Sequence, residues 1–131
     1  MQKKLLLAMP LALAFIIGST GSRAQDGVKR TDLQTHDLSI PGREVVQQMV
    51  ELQPGTVVGK HTHPGEEVSV VLEGELRLDV TGKPAVTIKA GEAFTVPSGI
   101  VHNATSAGRV PAKLLVTYIV EKGKPLRTAA P

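Results

Sequence analysis

Residues 68–96, VSVVLEGELRLDVTGKPAVTIKAGEAFTV, read as four short strands separated by turns. Leu76, Leu78 and Val80 alternate with Arg77 and Asp79, the pattern of a strand with one buried face and one wet face. Val86 and Ile88 alternate with Thr87 and Lys89 in the same way, and Phe94 and Val96 follow the next turn. Residues 68–72 form an apolar run, as expected for a strand covered on both faces. Glu73-Gly74, Gly82-Lys83-Pro84 and Ala90-Gly91-Glu92 are the breaks.

Outward from this stretch the pattern continues. Residues 44–53, EVVQQMVELQ, are Val-rich and partly alternating, between turns at Pro41-Gly42 and Pro54-Gly55. A last strand is predicted over about 112–121. Helical periodicity is absent beyond residue 24, so the expected class is all-β, a sandwich or barrel in a single domain. With two Phe, one Tyr and no Trp, its core is Val, Leu and Ile. Residues 25–42 are polar and predicted as an extended lead-in, 43–125 as the barrel, and 126–131 as a loosely packed tail. No repeat and no second domain is visible.

Residues 1–24, MQKKLLLAMPLALAFIIGSTGSRA, have the form of a secretory signal. Lys3 and Lys4 precede an apolar run over 5–17, which is short for a spanning helix, and Ser22-Arg23-Ala24 ends it. Cleavage is expected between Ala24 and Gln25, giving a periplasmic or secreted protein with no membrane contact after processing. The segment carries three of the 15 basic residues and none of the 12 acidic ones, so the formal charge of +3 falls to zero without it. Nucleic acid and anionic membranes are therefore not expected partners. The absence of cysteine excludes disulfides, thiolate metal sites and thiol catalysis.

The chemistry concentrates in three of the four histidines. His61-Thr62-His63 on a strand puts both imidazoles on one face. Glu67 follows after a bend at Pro64-Gly65, and His102 follows the Pro97-Ser98-Gly99 turn. Three imidazoles and a carboxylate suit a divalent cation, and an octahedral one would keep two positions for water or substrate.

The motif Gly55-x5-His61-x-His63-x3-Glu67-x6-Gly74 resembles the first conserved motif of the cupin superfamily. Gly91-x5-Pro97-x-Gly99-x2-His102 resembles the second, 16 residues on. The resemblance spans about residues 43–125 and points to the small single-domain cupins of exported bacterial proteins. It implies a jelly-roll barrel of six to eight strands. It also implies a metal inside, held by His61, His63, Glu67 and His102, and a homodimer. The second motif often ends in Asn where this chain has Ser106, and Asn103 does not fill that slot.

Other residues have plainer readings. Glu66 competes with Glu67, but strand alternation puts the two on opposite faces and the motif spacing selects Glu67. His36 reads as a surface histidine, and Tyr118 and Phe94 as core. Arg43 and Arg109 are candidates to meet a carboxylate substrate, with a solvated position as the alternative. Residues 44–51 are the candidate dimer interface. No general acid or base beyond the four ligands is legible. The expected cofactor is a divalent ion of Fe, Mn, Ni, Cu, Co or Zn, and the expected partner a small-molecule ligand or substrate. Related cupins include dioxygenases, decarboxylases and isomerases. The alternative is a module that binds a small carboxylate or enolate without turnover.

Overall fold

Alternation along the last long strand sets the architecture. Ala112, Leu114, Val116, Tyr118 and Val120 are buried, and the residues between them are half-buried. One face of that strand therefore turns inward along its whole length. The computed structural model describes residues 25–131, and the predicted signal segment lies outside them.

The described residues form ten strands and no helix. They are β1 (Val28–Asp37), β2 (Arg43–Leu52), β3 (His61–Thr62), β4 (Gly65–Glu73), β5 (Glu75–Val80), β6 (Val86–Lys89), β7 (Ala93–Val96), β8 (His102–Ser106), β9 (Ala112–Glu121) and β10 (Thr128–Ala129). Two five-stranded sheets have the orders β1-β2-β9-β4-β7 and β10-β3-β8-β5-β6. Every pairing is antiparallel. This is a cupin-type jelly roll, as the motif resemblance implied, with more strands than the six to eight expected.

The core lies between the sheets and is built from Val50, Leu52, Val71, Leu76, Leu114 and Val116 among others. Burying such a side chain contributes about 1.5–3 kcal/mol, which is how a small chain without disulfides holds together. Two glycines permit this layout. Gly74 joins β4 to β5 at φ +74°, a conformation side chains other than Gly rarely adopt. At Gly65 a Cβ would stand 1.9 Å from the Ile119 carbonyl oxygen, so only Gly lets β4 approach β9 so closely.

Three expectations need correction. Residues 68–72 are not covered on both faces: Val68 and Leu72 are 40% and 43% exposed, whereas Ser69 and Val71 are buried. The strand alternates, and Ser69 is an inward polar position inside what read as an apolar run. The polar lead-in is β1, paired with β2 from Val28↔Leu52 to Asp37↔Glu44, so the sheet begins well before residue 43. β2 lies between β1 and β9, so both of its edges are paired within the chain. The tail is not loose either. Thr128 and Ala129 pair with Thr62 and His61, and the Ala130 N–H donates to the Lys60 carbonyl at 3.0 Å.

Candidate metal centre

The two sheets bring four ligand-bearing residues to one point. His61 on β3 is registered opposite His102 on β8. His63 lies just past β3, before the Pro64-Gly65 bend that redirects the chain into β4. Glu67 takes an inward position on β4, and Glu66 beside it is exposed, as alternation requires. The four residues are buried, and their ligand atoms lie within 4.8 Å of one another.

The histidine orientations are fixed from behind. Nδ1 of His61 donates to the Gly59 carbonyl at 2.7 Å, Nδ1 of His63 to the Leu126 carbonyl at 2.6 Å, and Nδ1 of His102 to the Ile100 carbonyl at 2.9 Å. A carbonyl oxygen only accepts, so each ring carries its proton on Nδ1 and turns the Nε2 lone pair inward. Glu67 Oε2 stands 3.1 Å from His102 Nε2 and 3.2 Å from His63 Nε2. The second contact is near in distance but not aligned as a hydrogen bond, and His63 Nε2 has no hydrogen-bond partner among the described residues. The Ser69 hydroxyl donates to the other carboxylate oxygen, Oε1, at 2.8 Å.

Four acceptor atoms thus converge in a buried space. A proton on His102 Nε2 satisfies one contact, and a divalent cation would satisfy all four. The titration behaviour follows the same geometry. Burial pushes the His61 imidazole down to about 4, against the opposing pull of the Gly59 carbonyl. Burial would raise the Glu67 carboxyl, but the neighbouring His102 and His63 outweigh it and hold it at about 2. Burial would lower His102, and its hydrogen bond to Glu67 reverses this, so its pKa is raised.

The group opens into a cavity of about 480 Å³. Val50, Leu52, Leu114, Val116 and Phe94 form much of its wall. Tyr118, paired in register with Glu67, supplies the only hydroxyl of the wall among the described residues, and its ring centroid is 4.6 Å from that of His63. Burial raises the phenol, and the Glu67 charge raises it further, so it stays protonated at neutral pH. The sequence reading of Tyr118 as a core residue gave no sign that it faces this group.

Arg43 and Arg109, the candidates for meeting a carboxylate, are not in the wall; Arg30 and Arg127 are. These two lie on segments read from sequence as lead-in and tail, so nothing linked them to the site. Ser106 is buried, and its hydroxyl has no hydrogen-bond partner. The Asn103 side chain accepts the Gly59 N–H at 2.8 Å and so braces the loop that holds His61. His36 is exposed on β1, away from the group.

Comparison with known proteins gives the same architecture. A family model described as "Cupin domain" matches residues 48–118. Germin-like protein 1 of Brassica napus is 33% identical over 85 residues, covering 61% of this chain and 41% of the relative. The HTH-type transcriptional regulator PuuR of Escherichia coli (strain K12) is 38% identical over 71 residues, covering 52% and 38%. The chain spans about two fifths of the length of these curated relatives. Among solved structures, recombinant oxalate oxidase in complex with glycolate superimposes with a TM-score of 0.64 at 24% identity. That match covers 82% of this chain and 57% of the other, and at such identity it shows the fold alone.

Proposed function

The chain belongs to the cupin family, and on that premise we propose that it is a divalent-metal-dependent enzyme acting on a small oxygen-rich molecule. The reading rests on one observation: three histidines, each fixed at Nδ1 by a backbone carbonyl, aim Nε2 at the same point as Glu67. His61, His63, Glu67 and His102 would hold the ion. Three nitrogens and one oxygen suit iron, manganese, nickel, copper, cobalt or zinc rather than magnesium or calcium. Such an ion supplies Lewis acidity toward a bound oxygen.

The chain's own residues do the rest. Ser69 holds the Glu67 carboxylate in place. The apolar part of the wall lowers the local polarity beside the group and so strengthens its electrostatic contacts. The Tyr118 hydroxyl, protonated at neutral pH, donates a hydrogen bond to the substrate. Dioxygenation, decarboxylation and isomerisation of such a substrate all fit this set. The match to a transcriptional regulator favours a second reading, in which the cavity binds its ligand without turnover. Export through residues 1–24 and pairing of two copies belong to the same proposal. The exposed Val68 and Leu72 on the outer face of β4 offer a surface for that pairing.

Metal analysis of residues 25–131, purified without added metal or chelator, is the test. About one ion of iron, manganese, copper or nickel per chain supports the enzyme. Oxygen-uptake and product screens on small enols, diols and keto acids then separate the reactions. A site that is empty and also refuses added metal would sink the proposal.

A further inference from the structure

The cavity has a chemical polarity that the metal centre does not account for. Its inner part is the buried His61, His63, Glu67 and His102 group. Arg30 on β1 and Arg127, just before β10, also line it, yet both are exposed, which places them on its solvent side. Among the described residues Glu67 is the only carboxylate in the wall, against two guanidinium groups. Neither arginine makes an ion pair with any described residue. The Arg127 guanidinium donates to the Val58 carbonyl at 3.0 Å, which orients it without neutralising it. Burial lowers the Arg127 pKa, and the nearby Arg30 charge lowers it further, as expected for two cations facing one space. Asp32, two residues along β1 from Arg30, is outside the cavity wall and accepts from the Gln48 amide at 2.8 Å.

Size narrows the occupant. A two-carbon acid such as glycolate has five non-hydrogen atoms, at most about 150 Å³ by water's share of liquid volume. The cavity is about 480 Å³ and largely apolar. It would hold a considerably larger ligand with a hydrophobic body.

We propose that Arg30 and Arg127 form an anion clamp at the cavity mouth. The clamp selects an organic acid whose carboxylate they bind while its apolar body fills the cavity and an oxygen-bearing end reaches the ligand group. The inner half of this assignment rests on metal binding at that group, whereas the clamp stands without it. Guanidinium groups suit carboxylates because they present paired N–H donors in the matching geometry.

The test uses the full chain loaded with zinc and two chelating probes, benzohydroxamate and 4-carboxybenzohydroxamate. The carboxylated probe binds the wild type about tenfold more tightly or better, the gain expected of a charge-assisted contact. In the Arg30→Gln/Arg127→Gln double variant the ratio falls to about one. Bound metal per chain and affinity for the uncharged probe are retained. Equal affinity of the two probes for the wild type, or a preference that survives in the double variant, overturns the clamp. Arg30→Gln alone, which removes no hydrogen bond or ion pair to the described residues, reduces the ratio and guards against a folding defect in the double variant. A metal-free arm separates the two readings. Benzoate shifts the Arg127 Nε–H resonance in wild type whether or not metal is retained, and no shift overturns the clamp. Failure of both hydroxamates with the benzoate shift intact removes the metal reading alone. Inorganic phosphate shifting that resonance at the same concentrations as benzoate would overturn the organic-acid assignment.

Discussion

The Leu126 carbonyl accepts the Nδ1 proton of His63 at 2.6 Å, across 63 residues of sequence. The last segment of the chain thereby fixes the orientation of a residue in the central ligand group. Backbone and side-chain partners behind a metal-binding imidazole set its tautomer and its basicity, and losing one typically costs about 10–100-fold in metal affinity. Removing residues 126–131 should therefore weaken metal binding by about that factor while strands β1 to β9 persist. Competition with a fluorescent zinc chelator measures the affinity, and circular dichroism reports the strands. Undiminished affinity would mean that the arm does not support His63.

Alanine at His61, His63, Glu67 or His102 should each lower metal content strongly. Each removes one of four convergent donors, and the buried remainder is too small a ligand set to compensate. Metal analysis of the single variants decides this. Unchanged occupancy in two of the four would sink the assignment.

Ser69→Ala tests the support behind the carboxylate. It removes the hydroxyl that donates to Glu67 Oε1 at 2.8 Å and leaves all four ligands in place. The expected result is metal affinity reduced by about 10-fold with stoichiometry preserved at saturating metal. Equilibrium dialysis against zinc gives both quantities.

Acid should release the metal, because ligating imidazoles must be unprotonated. With the ordinary imidazole pKa near 6.5, retention declines as pH falls below about 6. Full occupancy at pH 4.5 would contradict histidine ligation. The metal-free chain has its own acid limb. The Glu67 pKa is lowered from 4.5 to about 2, so its stabilising contribution is complete above 4.5 and is lost as pH falls toward 2. In that window the unfolded chain binds more protons than the folded one. Urea titrations across the window should show the decline in wild type and a flatter profile in Glu67→Gln.

Gly65→Ala should destabilise the fold severely, because the added Cβ meets the Ile119 carbonyl at 1.9 Å and the Val120 Cα at 2.6 Å. Backbone cannot yield as a flexible side chain can, so β4 must move away from β9 and displace Glu67. A loss of several kcal/mol in chemical denaturation is expected, at the upper end of single-residue effects.

The sequence by itself determined the class and singled out one group of four residues. Period-two alternation in 76–80 and 86–89, punctuated by glycine turns, left no room for a helix. The His-x-His, glutamate and distant histidine spacing identified the four residues that the fold brings within 4.8 Å. Both are local signals, since strand periodicity and motif spacing are written along the chain. Tertiary structure decided what depends on pairing between remote segments. Val28–Asp37 carries little apolar alternation, and only its register against β2 makes it a strand. Thr128 and Ala129 become a strand only because β3 offers an open edge. Those two segments then deliver Arg30 and Arg127 to a cavity whose buried histidine and glutamate group comes from the middle of the chain. Ser69, hidden in an apparent apolar run, likewise gains its role only when alternation turns it inward beside Glu67. Backbone hydrogen bonds across a sheet can recruit almost any sequence, so the residues they position leave no local pattern to read.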